Sequence, residues 1–180
     1  VVLSLWKRDH LMSFNSLVGA TGLAYPGRIL QVVSVLKTDV FTTTSTSLVD
    51  VTGLTVTITP SSASNTVLVM ASLPLSAVNL GDASSGAILR GSTIVGGGTA
   101  VGSRPSRSFF FRHSANAGDN NTPKAFMFVD SPATTSATTY KIQIRGEGNT
   151  TAVGYAYGQD NDLATGGRIA SSLVVMEIAA

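Results

Sequence analysis

In its clearest segments this chain alternates apolar and polar residues with a period of two. Leu54–Thr59, LTVTIT, sets Leu54, Val56 and Ile58 on one face, the signature of a half-buried strand. Thr139–Arg145, TYKIQIR, repeats the pattern with Tyr140, Ile142 and Ile144 on one side and Lys141, Gln143 and Arg145 on the other. Three further segments are apolar almost throughout: ILQVVSVL from Ile29, TVLVMAS over Thr66–Ser72 and SSLVVMEI over Ser171–Ile178. Their β-branched content fits them to a pleated sheet.

Turn formers punctuate these runs. PSSASN, Pro60–Asn65, predicts a turn joining LTVTIT to TVLVMAS as a hairpin-like pair. Ala87–Arg90 and Ser92–Val95 read as short strands split by Gly91, and Gly96–Gly98 with Gly102 form a flexible connection. SFFFR (Ser108–Arg112) and KAFMFV (Lys124–Val129) read as strands joined by the polar loop HSANAGDNNTP, and DSPATTSAT (Asp130–Thr138) as a turn element. After Gly146–Asn149, VGYAY reads as a strand with Tyr155 and Tyr157 on one face, followed by the loop GQDNDLATGG. About eight to ten strands, with turn signals every 8–12 residues and no βαβ alternation, predict an all-β antiparallel sandwich or barrel.

Residues 1–28 differ and predict an extended N-terminal arm ahead of a β-domain over residues 29–180. VVLSLWKRDHL holds the only tryptophan, the Lys7–Arg8 pair and one of the two histidines, and Met12 follows directly. Two readings stand open: that Met12 is the natural start, or that the first eleven residues are an arm whose Trp6 docks on a partner. SFNSLVGATGLAYPGR, with Gly19, Gly22, Pro26 and Gly27, reads as a leader that fastens the domain to something larger.

Composition narrows the function classes. Charged residues are 12% of the chain, about half the roughly 25% usual in soluble domains; Thr, Ser, Asn and Gly supply the polarity instead. With no cysteine, neither a disulfide framework nor a thiolate metal site exists, and compartment stays undecided. Net charge is +2 with basic residues scattered singly, whereas tracking a phosphate backbone needs clustered Lys and Arg, so no nucleic-acid binding is predicted. No apolar run nears the ~20 residues of a membrane helix, and Val1–Trp6 is too short, with its charges on the wrong side, for a secretory signal; a soluble chain without membrane insertion is expected.

Catalytic constellations are sparse. The acid–base inventory rests on His10, His113, Glu147 and Glu177, and no G-x-S-x-G elbow surrounds any serine. Glu177 shares a face with Leu173 and Val175, so it must end its strand, find a partner, for which an arginine is expected, or meet another subunit. Pairing with Glu147 for glycosidase chemistry needs the fold to unite them. Asp160-Asn161-Asp162 resembles the start of a calcium loop, but Ala164 and Thr165 stand where a ligand and a glycine belong. The triglycine Gly96–Gly98 lacks a following G-K-[ST]. The sequons at Asn120 and Asn149 carry little weight in so Thr- and Asn-rich a chain. No enzyme, no catalytic residue, no metal and no cofactor is predicted.

Assembly signals are stronger. Phe109, Phe110 and Phe111 put rings on both sides of their strand, and TVLVM and LVVMEI are apolar on both faces, as suits strands covered by a neighbouring chain. The expected subunit-interface residues are Phe109, Phe110, Phe111, Val175 and Glu177. Association would also shield edge strands that carry few charges.

The segments GRILQVVSVLKTD, VDVTGLTVTITPSSASNTVLVM, DSPATTSATTYKIQIRG and ASSLVVMEIAA resemble small virion-associated proteins of tailed bacteriophages, especially marine and cyanobacterial phages, of tail-fibre-like or capsid-decoration type. The resemblance spans about Pro26 to Ala180, with a variable middle from Leu73 to Asn121. DSPATTSATTYKIQI and the terminal MEIAA are similar to C-terminal domains of trimeric fibres. The resemblance implies a jelly-roll-like sandwich in a homotrimer on the virion surface, bound through its arm to capsid or tail proteins. A short leader and no repetitive shaft favour a decoration or cement protein. The alternatives are a receptor-binding fibre tip, with host glycan held by Tyr155, Tyr157, Asp160 and Asp162, and a carbohydrate-active enzyme or lectin.

Overall fold

The structure is a computed structural model that describes residues 26–77, 83–112, 123–146, 150–154 and 167–180. These form eleven strands: β1 (Ile29–Lys37), β2 (Phe41–Thr43), β3 (Val49–Ile58), β4 (Thr66–Ala77), β5 (Ala83–Arg90), β6 (Thr93–Val95), β7 (Phe109–Arg112), β8 (Pro123–Asp130), β9 (Thr138–Gly146), β10 (Thr151–Val153) and β11 (Ser171–Ile178). Among the described residues there is no helix. Sheet I has the order β1-β11-β4-β10-β2 with β8 also paired to β4; sheet II has the order β3-β9-β5-β6 with β7 also paired to β5. Every pairing is antiparallel.

Setting aside the three-residue strands β2, β6 and β10, the other strands pair first with last: β1 with β11, β3 with β9, β4 with β8, β5 with β7. The chain is thus one long hairpin, bent back between β5 and β7, whose successive strand pairs fall alternately in sheet I and sheet II. Rolling it up creates two new neighbours, β11 beside β4 and β9 beside β5. This is a jelly roll, the double Greek-key sandwich.

The predicted hairpin between LTVTIT and TVLVMAS does not form. β3 lies in sheet II and β4 in sheet I, so the turn after Ile58 crosses from one sheet to the other. Period-two patterning says which side of a strand is apolar and is silent about which strand lies beside it; the inner faces of β3 and β4 meet across the core.

That core holds Val51, Leu54, Val56 and Ile58 from β3, Val67, Val69, Leu73 and Leu75 from β4, Tyr140, Ile142 and Ile144 from β9, and Leu173 and Val175 from β11. Burying each such aliphatic side chain contributes roughly 1.5–3 kcal/mol. The alternating faces read in LTVTIT and TYKIQIR are the buried faces observed. β3 begins earlier than its clean alternation suggests, because the register with β9 shifts between Asp50 and Thr55. Gly53 sits in that irregularity at φ +87°, with the stem of Lys37 packed against it. Gly86 on β5 is needed for space: a Cβ there would lie 2.2 Å from Phe109 Cζ and 2.5 Å from the Gln143 carbonyl oxygen.

Among the described residues two polar clusters fasten the sandwich, beside a buried 2.7 Å hydroxyl bond between Ser84 of β5 and Thr151 of β10. Arg90 of β5 donates from Nη1 to both oxygens of Asp130 on β8, at 2.7 and 2.6 Å, and the Tyr140 hydroxyl of β9 donates to Asp130 Oδ2 at 2.6 Å, tying sheet II to sheet I. Burial, with Asp130 beside it, pushes the Tyr140 phenol well above its ordinary range. The second fastening is built on Glu177.

Candidate interaction surface

Glu177 is 1% exposed. Its Oε1 accepts from the Ser61 amide at 2.6 Å, the Ser61 hydroxyl at 2.7 Å and Asn65 Nδ2 at 2.6 Å, while Oε2 accepts from Gln31 Nε2 at 2.6 Å. The expected arginine partner is replaced by amide and hydroxyl donors from β1 and from the β3–β4 turn. Burial alone would raise the carboxyl pKa, but these donors favour the charged form and hold it at about 2. The carboxylate therefore pins the sheet-crossing turn against the end of β11. It is saturated inside one chain, which corrects its assignment to a subunit contact. Val175 is corrected likewise: it is fully buried in the core, and in a strand whose neighbours Val174 and Val175 are both valine, only the fold decides which one points inward.

The outward face of sheet I has an unusual composition. The registers of β1, β11, β4 and β8 align its residues in rows: Val32–Met176–Leu68–Val129, then Ser34–Val174–Met70–Met127, then Leu36–Ser172–Ser72–Ala125. No charged residue stands in these rows. Four of the twelve are strongly exposed apolar side chains: Val32 at 54%, Leu36 at 66%, Met127 at 68% and Val129 at 58%. Where the small residues Ser72, Ser172 and Ala125 adjoin Met70, Met127 and Val174, the face sinks into an open hollow of about 350 Å³.

Sheet II has the opposite character on its outward face. Thr57 and Thr139 share a hydroxyl hydrogen bond of 2.9 Å, and Asp50 accepts from Lys141 Nζ at 2.9 Å and Gln143 Nε2 at 2.6 Å. Those two contacts, Gln143 foremost, lower the Asp50 pKa. The β3–β9 part of sheet II is thus polar on its outward face, as an antiparallel sheet facing water should be, with the exposed Phe110 of β7 its apolar exception, while sheet I is apolar on both of its faces.

The remaining sequence candidates separate cleanly. Phe109 is buried beneath Gly86 and stacks on Phe126 with ring centroids 4.6 Å apart, and Phe111 packs against the core. Phe110 points outward, 64% exposed, so one ring of the triplet lies outside the single chain's core. Tyr155, Tyr157, Asp160 and Asp162 fall outside the described residues, as do His10, His113, Glu147 and most of the arm. Of that arm, Pro26, Gly27 and Arg28 are described, and Gly27 and Arg28 both bond to Ala179 beside the end of β11. Among the described residues no group of three or more His, Asp or Glu is placed to hold a metal ion.

Sequence reading missed Val32, Leu36, Met127 and Val129. The signal was available: KAFMFV and ILQVVSVL carry apolar residues at both parities, like TVLVM and LVVMEI. No protein-family model matches the chain, and no curated protein matches it.

Proposed function

We propose that the chain is a non-catalytic structural subunit of a bacteriophage particle, a trimeric β-sandwich fastened to the virion surface as a decoration or cement protein or as a fibre-like protein. The observation that carries this reading is the contrast between the two outward faces. A domain working alone in water has no use for an uncharged apolar sheet face set opposite a polar one, whereas a subunit that buries that face in an assembly does. The jelly roll is compatible, being an architecture of viral capsid proteins as well as of lectins, though a fold alone assigns no function. The engaged carboxylates support the reading from another side: the buried Glu177 and the half-buried Asp130 are held by donors that fasten the sandwich.

The test is made on particles. Particles assembled without this protein should form normally and lose infectivity faster than complete ones on heating or osmotic shock, and cryo-electron microscopy of complete particles should show its density on the outside. Equal resistance, together with no density attributable to the chain, would overturn the proposal.

A further inference from the structure

We infer that the outward face of sheet I is an interface among three copies of this chain, with the strips β1-β11-β4-β8 forming the sides of a triangular prism around a threefold axis. The inference deepens the proposed function and rests on its reading of the chain as a self-associating subunit.

Size argues first. Four strands at ~4.8 Å spacing make a strip ~19 Å wide, and the seven residues from Thr66 to Ser72 make it ~24 Å long, a projected ~450 Å². Three such faces bury ~1,350 Å² in all, shared over three pairwise contacts of ~450 Å² each, so no single pair reaches the ~1,200 Å² of a stable interface and it is closure of the ring, which makes all three contacts at once, that holds the assembly. The shape of the enclosed space argues next. In a triangular prism of side ~19 Å the axis lies ~5.5 Å from each sheet, and side chains between packed sheets meet ~5 Å from each, since such sheets stand ~10 Å apart. At a width of four strands the three facing layers of side chains therefore meet at the axis.

Charge and edges agree. Because the three rows hold no charged residue, cyclic packing sets no like charges against each other, and the face is compatible with copies of itself. A phosphate backbone would find no cation there. Among the described residues β1 pairs only with β11, and β8 only with β4, so both sides of the strip are open edges. In the prism β8 of one copy abuts β1 of the next and both edges are covered; two copies stacked face to face would leave all of them open.

The test uses the full chain. Sedimentation equilibrium should give three times the 18.5 kDa chain mass, and Met127→Lys combined with Val129→Lys should give one chain mass with an unchanged circular dichroism spectrum. Thr55→Lys, on the polar face, should leave the threefold mass intact. A second measurement does not depend on the double variant folding: the chain contains no cysteine, so a maleimide reports on one introduced thiol at a time. Met127→Cys should react at least tenfold more slowly than Thr55→Cys in the native protein and equally fast in denaturant. A trimer whose mass and labelling ignore residues 127 and 129 would overturn the inference while leaving the particle reading standing. Twice the chain mass would overturn the threefold arrangement. Slow labelling at residue 127 in a single-mass chain would mean another segment covers the face, and binding to neutral phosphatidylcholine vesicles by a single-mass chain would mean lipid does; either result overturns it.

Discussion

Replacing Glu177 by Gln tests whether a buried carboxylate without a cation holds this sandwich together. In the native protein Oε1 collects three donors and Oε2 one. The variant can keep Oε1 in place only by turning its new amide nitrogen toward Gln31. Gln31 must then flip its own amide to accept, which breaks its 2.7 Å bond to the Thr59 carbonyl oxygen. The charge that strengthens the remaining bonds is lost as well. Holding the carboxyl at about 2 instead of its ordinary 4.5 links its ionisation to roughly 3 kcal/mol of folding free energy, at ~1.36 kcal/mol per pH unit. A loss of about 2–3 kcal/mol corresponds to a fall in Tm of roughly 5–10 °C for a domain of this size.

The sign of the pH dependence follows from the direction of the shift. Folding lowers this pKa, so the stabilisation is complete above the unfolded value near 4.5 and is lost as pH falls toward 2. Thermal or urea unfolding of the wild type and Glu177→Gln at one fixed protein concentration, between pH 7 and pH 2.5, isolates the effect, because other carboxylates titrate equally in both proteins. The gap should be widest above about pH 4.5 and narrow steadily below it. A gap under ~0.5 kcal/mol at pH 7, or one that stays constant down to pH 2.5, would refute the reasoning.

Two other substitutions probe the fold independently. Gly86→Ala should lower soluble yield and cost about 1–3 kcal/mol or more in urea unfolding, since the added methyl meets both Phe109 and the Gln143 carbonyl oxygen; adding Phe109→Ala should not restore stability, because the backbone clash remains and a cavity is opened. Tyr140→Phe, which removes the hydroxyl donating to Asp130, should lower the unfolding free energy by about 1–2 kcal/mol, seen as a lower urea midpoint with an unchanged slope. Because folding raises the Tyr140 pKa, its stabilisation is complete below the ordinary value near 10 and declines as pH rises beyond it, so one phenolate should appear in absorbance titration only on unfolding.

Much of the β-structure was legible because period-two alternation is local. Leu54, Val56 and Ile58, like Tyr140, Ile142 and Ile144, declare their buried face to anyone who counts by twos, and PSSASN announces a turn whatever follows it. The failures begin where a decision involves distant residues. Nothing in PSSASN says whether the chain returns beside LTVTIT or crosses to another sheet. The donors of Glu177 stand 112, 116 and 146 residues away in the chain, so its arginine-free site could not be read from LVVMEI.

The interaction surface falls between these cases. The sequence by itself determined an all-β chain, poor in charge, with strands that no single core can bury on both faces, since alternate side chains of a strand point in opposite directions. Where both parities are apolar, as at Val174 and Val175, it could not determine which parity faces in. Only the tertiary structure decided that, because pairing first strand with last aligned Val32, Met176, Leu68 and Val129 into one uncharged outward row while Val175 and Glu177 were turned inside.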